Sequence, residues 1–251
     1  MKKAKEGERM RIIETAAGTV FSVALILIAV ITSFEFVVYG GDGYFRDKYE
    51  KYRVMEATGM EMDALLEVSS EMMDYLRGDR ENLEVMVTID GRETGFFNQR
   101  EKAHMLDVKN LFLGGLMLRR VAAAILLAAF FILFLMHRSF RKVFERLAGA
   151  YIAVSGAIIG LIGILAVIMY RDFTGAFTIF HELFFDNDLW LLDPATDRMI
   201  NMLPEGFFID TAAEIGVAAA GSLLFLFLAS VVYLVISKRR RNDSERHSQQ
   251  L

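Results

Sequence analysis

Four windows of this chain, residues 17–40, 120–136, 147–170 and 212–237, are predominantly apolar, and each is long enough to constrain the whole fold. At about 1.5 Å of helical rise per residue, such segments cross or nearly cross a hydrocarbon layer of roughly 30 Å. A lone helix satisfies its own backbone in that layer, so lipid rather than water is expected to be the solvent. Composition agrees: 54% of the 251 residues are hydrophobic and 21 are phenylalanine. The fold class expected is a mainly α membrane protein, with four transmembrane helices and a small α+β extracytoplasmic domain.

The first window is far longer than the apolar stretch of about 7 to 15 residues in a cleaved leader, so it is expected to stay as an anchor. Orientation is read from Lys and Arg beside the spans. Residues 1–11, 138–146 and 238–251 hold 14 of the 28 basic residues. Residues 41–113 set 10 basic against 16 acidic residues, and residues 171–211 set 2 against 8. Both termini are therefore expected in the cytoplasm, with the two long acidic segments outside. The layout is a first span at 12–40, an outer α+β domain at 41–113, a second span at 116–137, a cytoplasmic loop at 138–146 and a third span at 147–170. An outer loop at 171–211, a fourth span at 212–237 and a basic tail at 238–251 complete it.

Zero cysteines exclude disulfides, thiolate metal sites and a cysteine nucleophile. The tail bases Lys238, Arg239, Arg240 and Arg241 directly follow a span, which reads as a topology signal with anionic-lipid contact rather than as a nucleic-acid patch. Membrane lipid is thus an expected partner, and nucleic acid is not.

In the first outer segment, Thr58-Gly59-Met60-Glu61 has the form of a capping box. Apolar residues from Met62 to Leu76 then recur at helical spacing, and Gly78 suits a left-handed terminus, giving an expected helix over about 59–77. Residues 83–89 alternate like a strand, Asp90-Gly91 suits a two-residue turn, and residues 92–97 return. Asn98 with Glu101 starts the next helix, with an interruption considered at Gly114-Gly115. In the second outer segment, Phe173, Phe177, Phe180, Phe184 and Phe185 predict an interfacial helix, and the single tryptophan, Trp190, fits an aromatic belt. Asp193-Pro194 makes a turn, a short helix surrounds Arg198 to Leu203, and Asp210 or Thr211 is expected to cap the last span.

Of the four histidines, His137 and His247 fall on the cytoplasmic side, whereas His104 and His181 fall outside near the water boundary. Glu101 and Asp107 lie three residues either side of His104, within reach of one helix face, and Glu182 follows His181. Two imidazoles flanked by acids suit proton transfer near neutral pH. A zinc site is the rival, but the position where the helical zincin pattern needs a second histidine is Phe185, so no metal is assigned. No G-x-S-x-G motif exists, and Ser69 and Ser70 lie on the amphipathic helix, so the substrate is expected to bring its own nucleophile. Glu35 in the first span and Arg119-Arg120 at the mouth of the second are charges that either line a polar path or snorkel to headgroups. No cofactor is implied.

Three blocks carry a resemblance: NQREKAHMLDVKNLF at residues 98–112, the segment 52–78 with its TGM and DYLRG pieces, and 181–210 with LDPATD and LPEGFF. Over residues 15–237 they resemble the bacterial lipoprotein intramolecular transacylase family. The resemblance implies an enzyme acting on a diacylated lipoprotein, in which the sn-2 acyl chain of an S-diacylglyceryl cysteine moves to that cysteine's α-amine and leaves the lyso-form. It also places the family's two catalytic histidines on His104 and His181. Within that chemistry, one histidine takes the amine proton and the other steadies the oxyanion; His181 is taken as the base because of its acidic sequence neighbours. Glu101, Asp107, Glu182, Glu35, Arg119 and Arg120 are supporting candidates. The alternative is a non-enzymatic envelope membrane protein whose outer domain binds a partner; a transporter has no repeat or broken helix in its favour.

Overall fold

The computed structural model describes residues 2–89 and 91–248. Its elements, in chain order, are α1 (Lys2–Val38), α2 (Asp42–Lys51), α3 (Val54–Thr58), α4 (Met62–Arg77), β1 (Met86–Ile89) and β2 (Arg92–Gly95). They continue with α5 (Gln99–His137), α6 (Phe140–Arg171), α7 (Phe173–Phe184), α8 (Arg198–Met202) and α9 (Glu205–Ser248). Among the described residues, α1, α5, α6 and α9 are long and apolar enough to cross a membrane. This is a multi-pass membrane architecture, mainly helical, with one small sheet.

The chain divides into two compact units. The first comprises residues 1–33, 118–165 and 218–251. Leu133, Val143 and Leu147 pack with Ala17 in one cluster, and Ile26, Tyr151 and Leu223 in another. Gly18 permits a close helix approach, since a Cβ there would lie 2.9 Å from that of Ala150. The Tyr151 hydroxyl donates to the Leu223 carbonyl at 3.0 Å, tying α6 to α9. Outward faces carry Leu127, Leu161 and Phe225, all strongly exposed, which is the chemistry of a lipid-facing surface. His137 belongs here, with its Nε2 3.3 Å from Glu14.

The second unit, residues 34–117 and 166–217, has its own apolar core. The amphipathic α4 buries Leu65, Leu66, Val68, Met72, Met73 and Leu76 against Phe45 and Tyr49 of α2, the β1–β2 hairpin, and Met199 and Met202 of α8. A two-stranded hairpin is marginal alone, and here Val85, Val87 and Phe96 are buried in that core. The strands pair antiparallel from Met86↔Gly95 to Ile89↔Arg92, as the sequence predicts; Gly91 has φ +77°, and the expected turn residue Asp90 lies outside the described residues. Lys48, buried and held at 2.8 Å by Glu214, and Tyr52, donating to Asp210 at 2.8 Å, anchor α2 and its end to α9.

Several boundaries differ from expectation. Thr58 does not open α4: its hydroxyl donates to the Val54 carbonyl, Gly59 closes α3 with φ +67°, and α4 starts at Met62 after Glu61. Gly78 does end α4 in the left-handed region, φ +88°. α5 runs unbroken through Gly114-Gly115. α9 begins at Glu205, straight after Pro204, so Asp210 and Thr211 are not caps. Thr211 instead donates back to Phe207, and Asp210 accepts from Lys51 and Tyr52.

Candidate active site

The start of α5 is built by its own sequence. The Asn98 side-chain oxygen accepts the Glu101 N–H at 2.9 Å, and Glu101 Oε2 accepts the Asn98 N–H at 2.7 Å, a reciprocal capping box. Glu101, fully buried, offers its second oxygen to the Met199 N–H at 2.6 Å. Asn98 reaches the same region, donating to Asp197 at 2.7 Å. Asp193 shapes the loop there: its carboxylate accepts the Ala195 N–H and its carbonyl accepts those of Thr196 and Asp197. The blocks at 98–101 and 192–199 thus fit one another.

His104 comes one turn after Arg100 on that helix, and His181 lies on α7. α7 opens on Asp172, whose carboxylate accepts the Gly175 N–H at 2.8 Å. Both histidines are buried, 6% and 7% exposed, and their ring centroids lie 6.0 Å apart at an interplanar angle of 33°. Rings that close together can each turn a nitrogen toward one small polar group such as an ester.

The two nitrogens of His181 have different surroundings. Nδ1 lies 2.7 Å from the Phe177 carbonyl, so the neutral ring carries its proton on Nδ1 and leaves the Nε2 lone pair open. Aromatic rings enclose it: Phe177 edge-on at 4.4 Å, Phe180 at 5.4 Å, Phe185 at 5.6 Å and Trp190 stacked at 4.7 Å. Burial lowers its pKa below the usual histidine value, with the Phe177 carbonyl opposing the shift. That reverses the sequence-based argument, which expected acidic neighbours to raise its proton affinity. Glu182, Asp186 and Asp188 are exposed, so aromatic desolvation outweighs them. His104 packs edge-on against Phe185 at 5.5 Å, and its buried Nδ1 has no hydrogen-bond partner among the described residues.

The supporting candidates divide. Both carboxylate oxygens of Glu101 are engaged by backbone N–H groups, so it builds the helix start instead of orienting His104. Asp107 accepts from the Asn187 amide at 2.9 Å. Glu182 is exposed beside His181 in sequence. Glu35 is half-buried near the end of α1, and Arg119 and Arg120 lie along α5. Arg198 donates to the Gly95 carbonyl at 2.7 Å, a structural link. Sequence reasoning missed Asn187 and the stacking role of Trp190; the concentration of rare residues in this loop was the available signal. Among the described residues, no three His, Cys, Asp or Glu side chains converge as a metal-ligand set. A pocket lined by Tyr39, Asp42, Asp74 and Arg77 contains neither histidine.

A sequence model described as lipoprotein intramolecular transacylase Lit matches residues 19–208. No curated protein matches in sequence. The fold is similar to in meso structures of the membrane-integral transacylase Lit from Bacillus cereus. One is 22% identical, with a TM-score of 0.69, covering 90% of this chain and 98% of the other. A form with a histidine-to-arginine replacement is 20% identical, with a TM-score of 0.72, over 95% and 99%. A form with a histidine-to-alanine replacement is 21% identical, with a TM-score of 0.69, over 96% and 100%. The chain belongs to the lipoprotein intramolecular transacylase family, a family of membrane-integral acyltransferases.

Proposed function

We propose that this chain moves the sn-2 acyl chain of an S-diacylglyceryl lipoprotein onto the α-amine of the same cysteine, with His181 and His104 acting together at the outer face of the membrane. The amine nitrogen bonds to the ester carbonyl carbon, the carbon–oxygen bond to the glycerol breaks, and one proton travels from the amine to the leaving alkoxide. Substrate and product are isomers, so no co-substrate enters and none leaves.

His181 Nε2 takes the amine proton, because Nδ1 is already committed to the Phe177 carbonyl. The resulting imidazolium keeps that bond and faces aromatic surfaces. The proton that His181 took from the amine passes from His181 to the departing glycerol oxygen, and His104 steadies the tetrahedral oxyanion with a hydrogen bond. Its buried Nδ1 gains a partner only when such a group arrives, and leaving a buried polar atom unpaired costs about 1–3 kcal/mol. Amine and ester belong to one molecule, so holding them between the rings converts tethering into rate. Glu182, Glu35, Arg119 and Arg120 are assigned secondary roles beside the substrate or headgroups, and Asp107 a role in support of His104.

The observation that carries this reading is the 6.0 Å spacing of two buried imidazoles, one with a defined tautomer. The test is a reporter lipoprotein isolated from cells carrying His104→Ala or His181→Ala. Intact mass does not change on acyl migration, so fragmentation must locate the acyl chain. Each variant is expected to leave it on glycerol; a full yield of N-acyl product from either would remove that histidine from the chemistry.

A further inference from the structure

The turn at residues 187–190 is gripped from both sides of His104. One turn before it, Arg100 donates to the Asp188 carbonyl and lies 3.6 Å from the Asp188 carboxylate. Three residues after it, Asp107 accepts from the Asn187 amide at 2.9 Å. Positions 100, 104 and 107 share one helix face, so the helix that presents His104 also holds this turn. Within the turn, the Asn187 side-chain oxygen accepts the Leu189 N–H at 3.0 Å, and its carbonyl accepts the Trp190 indole N–H at 2.9 Å. The indole then lies nearly flat on His181, at 4.7 Å and 28°.

We propose that Trp190 and Asn187 are positioning residues of the transacylase: the Asn187 turn, clamped by Arg100 and Asp107, sets the indole against His181 and so fixes the plane and spacing of the two imidazoles. This rests on the reading of His181 as the base. The bond that Nδ1 donates to the Phe177 carbonyl limits the turning of the ring, and a flat partner confines it further. The indole face also favours the imidazolium that forms when the amine proton is taken, because a ring quadrupole attracts a cation over its face. The stack therefore acts on the barrier more than on substrate binding.

Trp190 is the single tryptophan of the chain, so indole emission from the intact protein in detergent comes from this residue alone. Protonated imidazole quenches a stacked indole. Emission should fall as pH is lowered, the titration should vanish in His181→Gln, and it should persist in His104→Gln. In turnover, Trp190→Leu and Asn187→Ala should each lower kcat about ten- to hundredfold with KM little changed, as expected for a misplaced catalytic group. Trp190→Phe, which keeps a flat ring, should recover most of the loss. A wild-type emission that ignores acid, or a titration that survives His181→Gln, overturns the stack. Folded Trp190→Leu at wild-type kcat overturns the positioning role. Full activity in His181→Gln instead refutes the base assignment and leaves the emission result standing, so the two failures are separable.

Discussion

The two nitrogens of His181, the proposed base, are treated differently, one spent on the Phe177 carbonyl and the other left open among aromatic rings. Burial favours the uncharged ring, which is the form a base needs. The sign follows: with a folded pKa below the ordinary value of about 6.5, the ring stays neutral at a pH where a free imidazole is already protonated. Followed by NMR of the labelled ring, His181 is therefore expected to titrate below that value, and a titration above it would contradict the assignment. Glu101 makes the opposite kind of prediction. Its carboxylate satisfies two backbone N–H groups in a fully buried position, so Glu101→Ala should lower stability by about 1–3 kcal/mol per orphaned donor, read as a fall in Tm. The capping partnership of Asn98 and Glu101 was legible in the sequence because it is local. The stack of Trp190 on His181 was not, since it depends on a loop folding back across nine residues onto a helix. The lowered proton affinity of His181 was misread for the same reason: neighbours in sequence are acids, neighbours in space are rings.

At the scale of elements, the unit that carries both histidines is held together by packing that the motifs partly encode. Gly206, in the LPEGFF block, shows how. A Cβ there would lie 2.3 Å from Tyr52 Cε1, and the Tyr52 hydroxyl donates to Asp210 one turn later. Gly206→Ala must push the ring aside and weaken that bond, so a loss of about 1–3 kcal/mol is expected by thermal unfolding. Combining it with Tyr52→Ala should cost less than the sum of the two changes, and strict additivity would contradict the contact. Long apolar helices, the hairpin and α4 were readable from period and composition. Their ends were less so. Thr58 had two uses open to it, capping α4 or bonding back to Val54, and the left-handed Gly59 decided for the second. Pro204, with its fixed φ, suits the threshold of a helix, so α9 starts there and Asp210 and Thr211 turn sideways to other partners.

At the scale of the molecule, four long apolar helices among the described residues and the family match make this a membrane-integral transacylase. The proposed orientation, with both termini in the cytoplasm and the histidines outside, rests on 14 of 28 basic residues flanking the spans at three short segments. The absence of cysteine makes it directly testable. Glu93→Cys in the hairpin should react with a membrane-impermeant maleimide on intact cells, and Asn242→Cys only after permeabilisation; the reverse pattern would invert the topology. The central claim, that two imidazoles serve one ester as a unit, is tested most directly by initial rates of acyl migration in purified His104→Gln, His181→Gln and the double variant. Groups that act together are strongly non-additive. Each single change is expected to cost about 10²–10⁴-fold, and the double variant little more than the worse single. Losses that multiply, or a wild-type rate in either single variant, would contradict it.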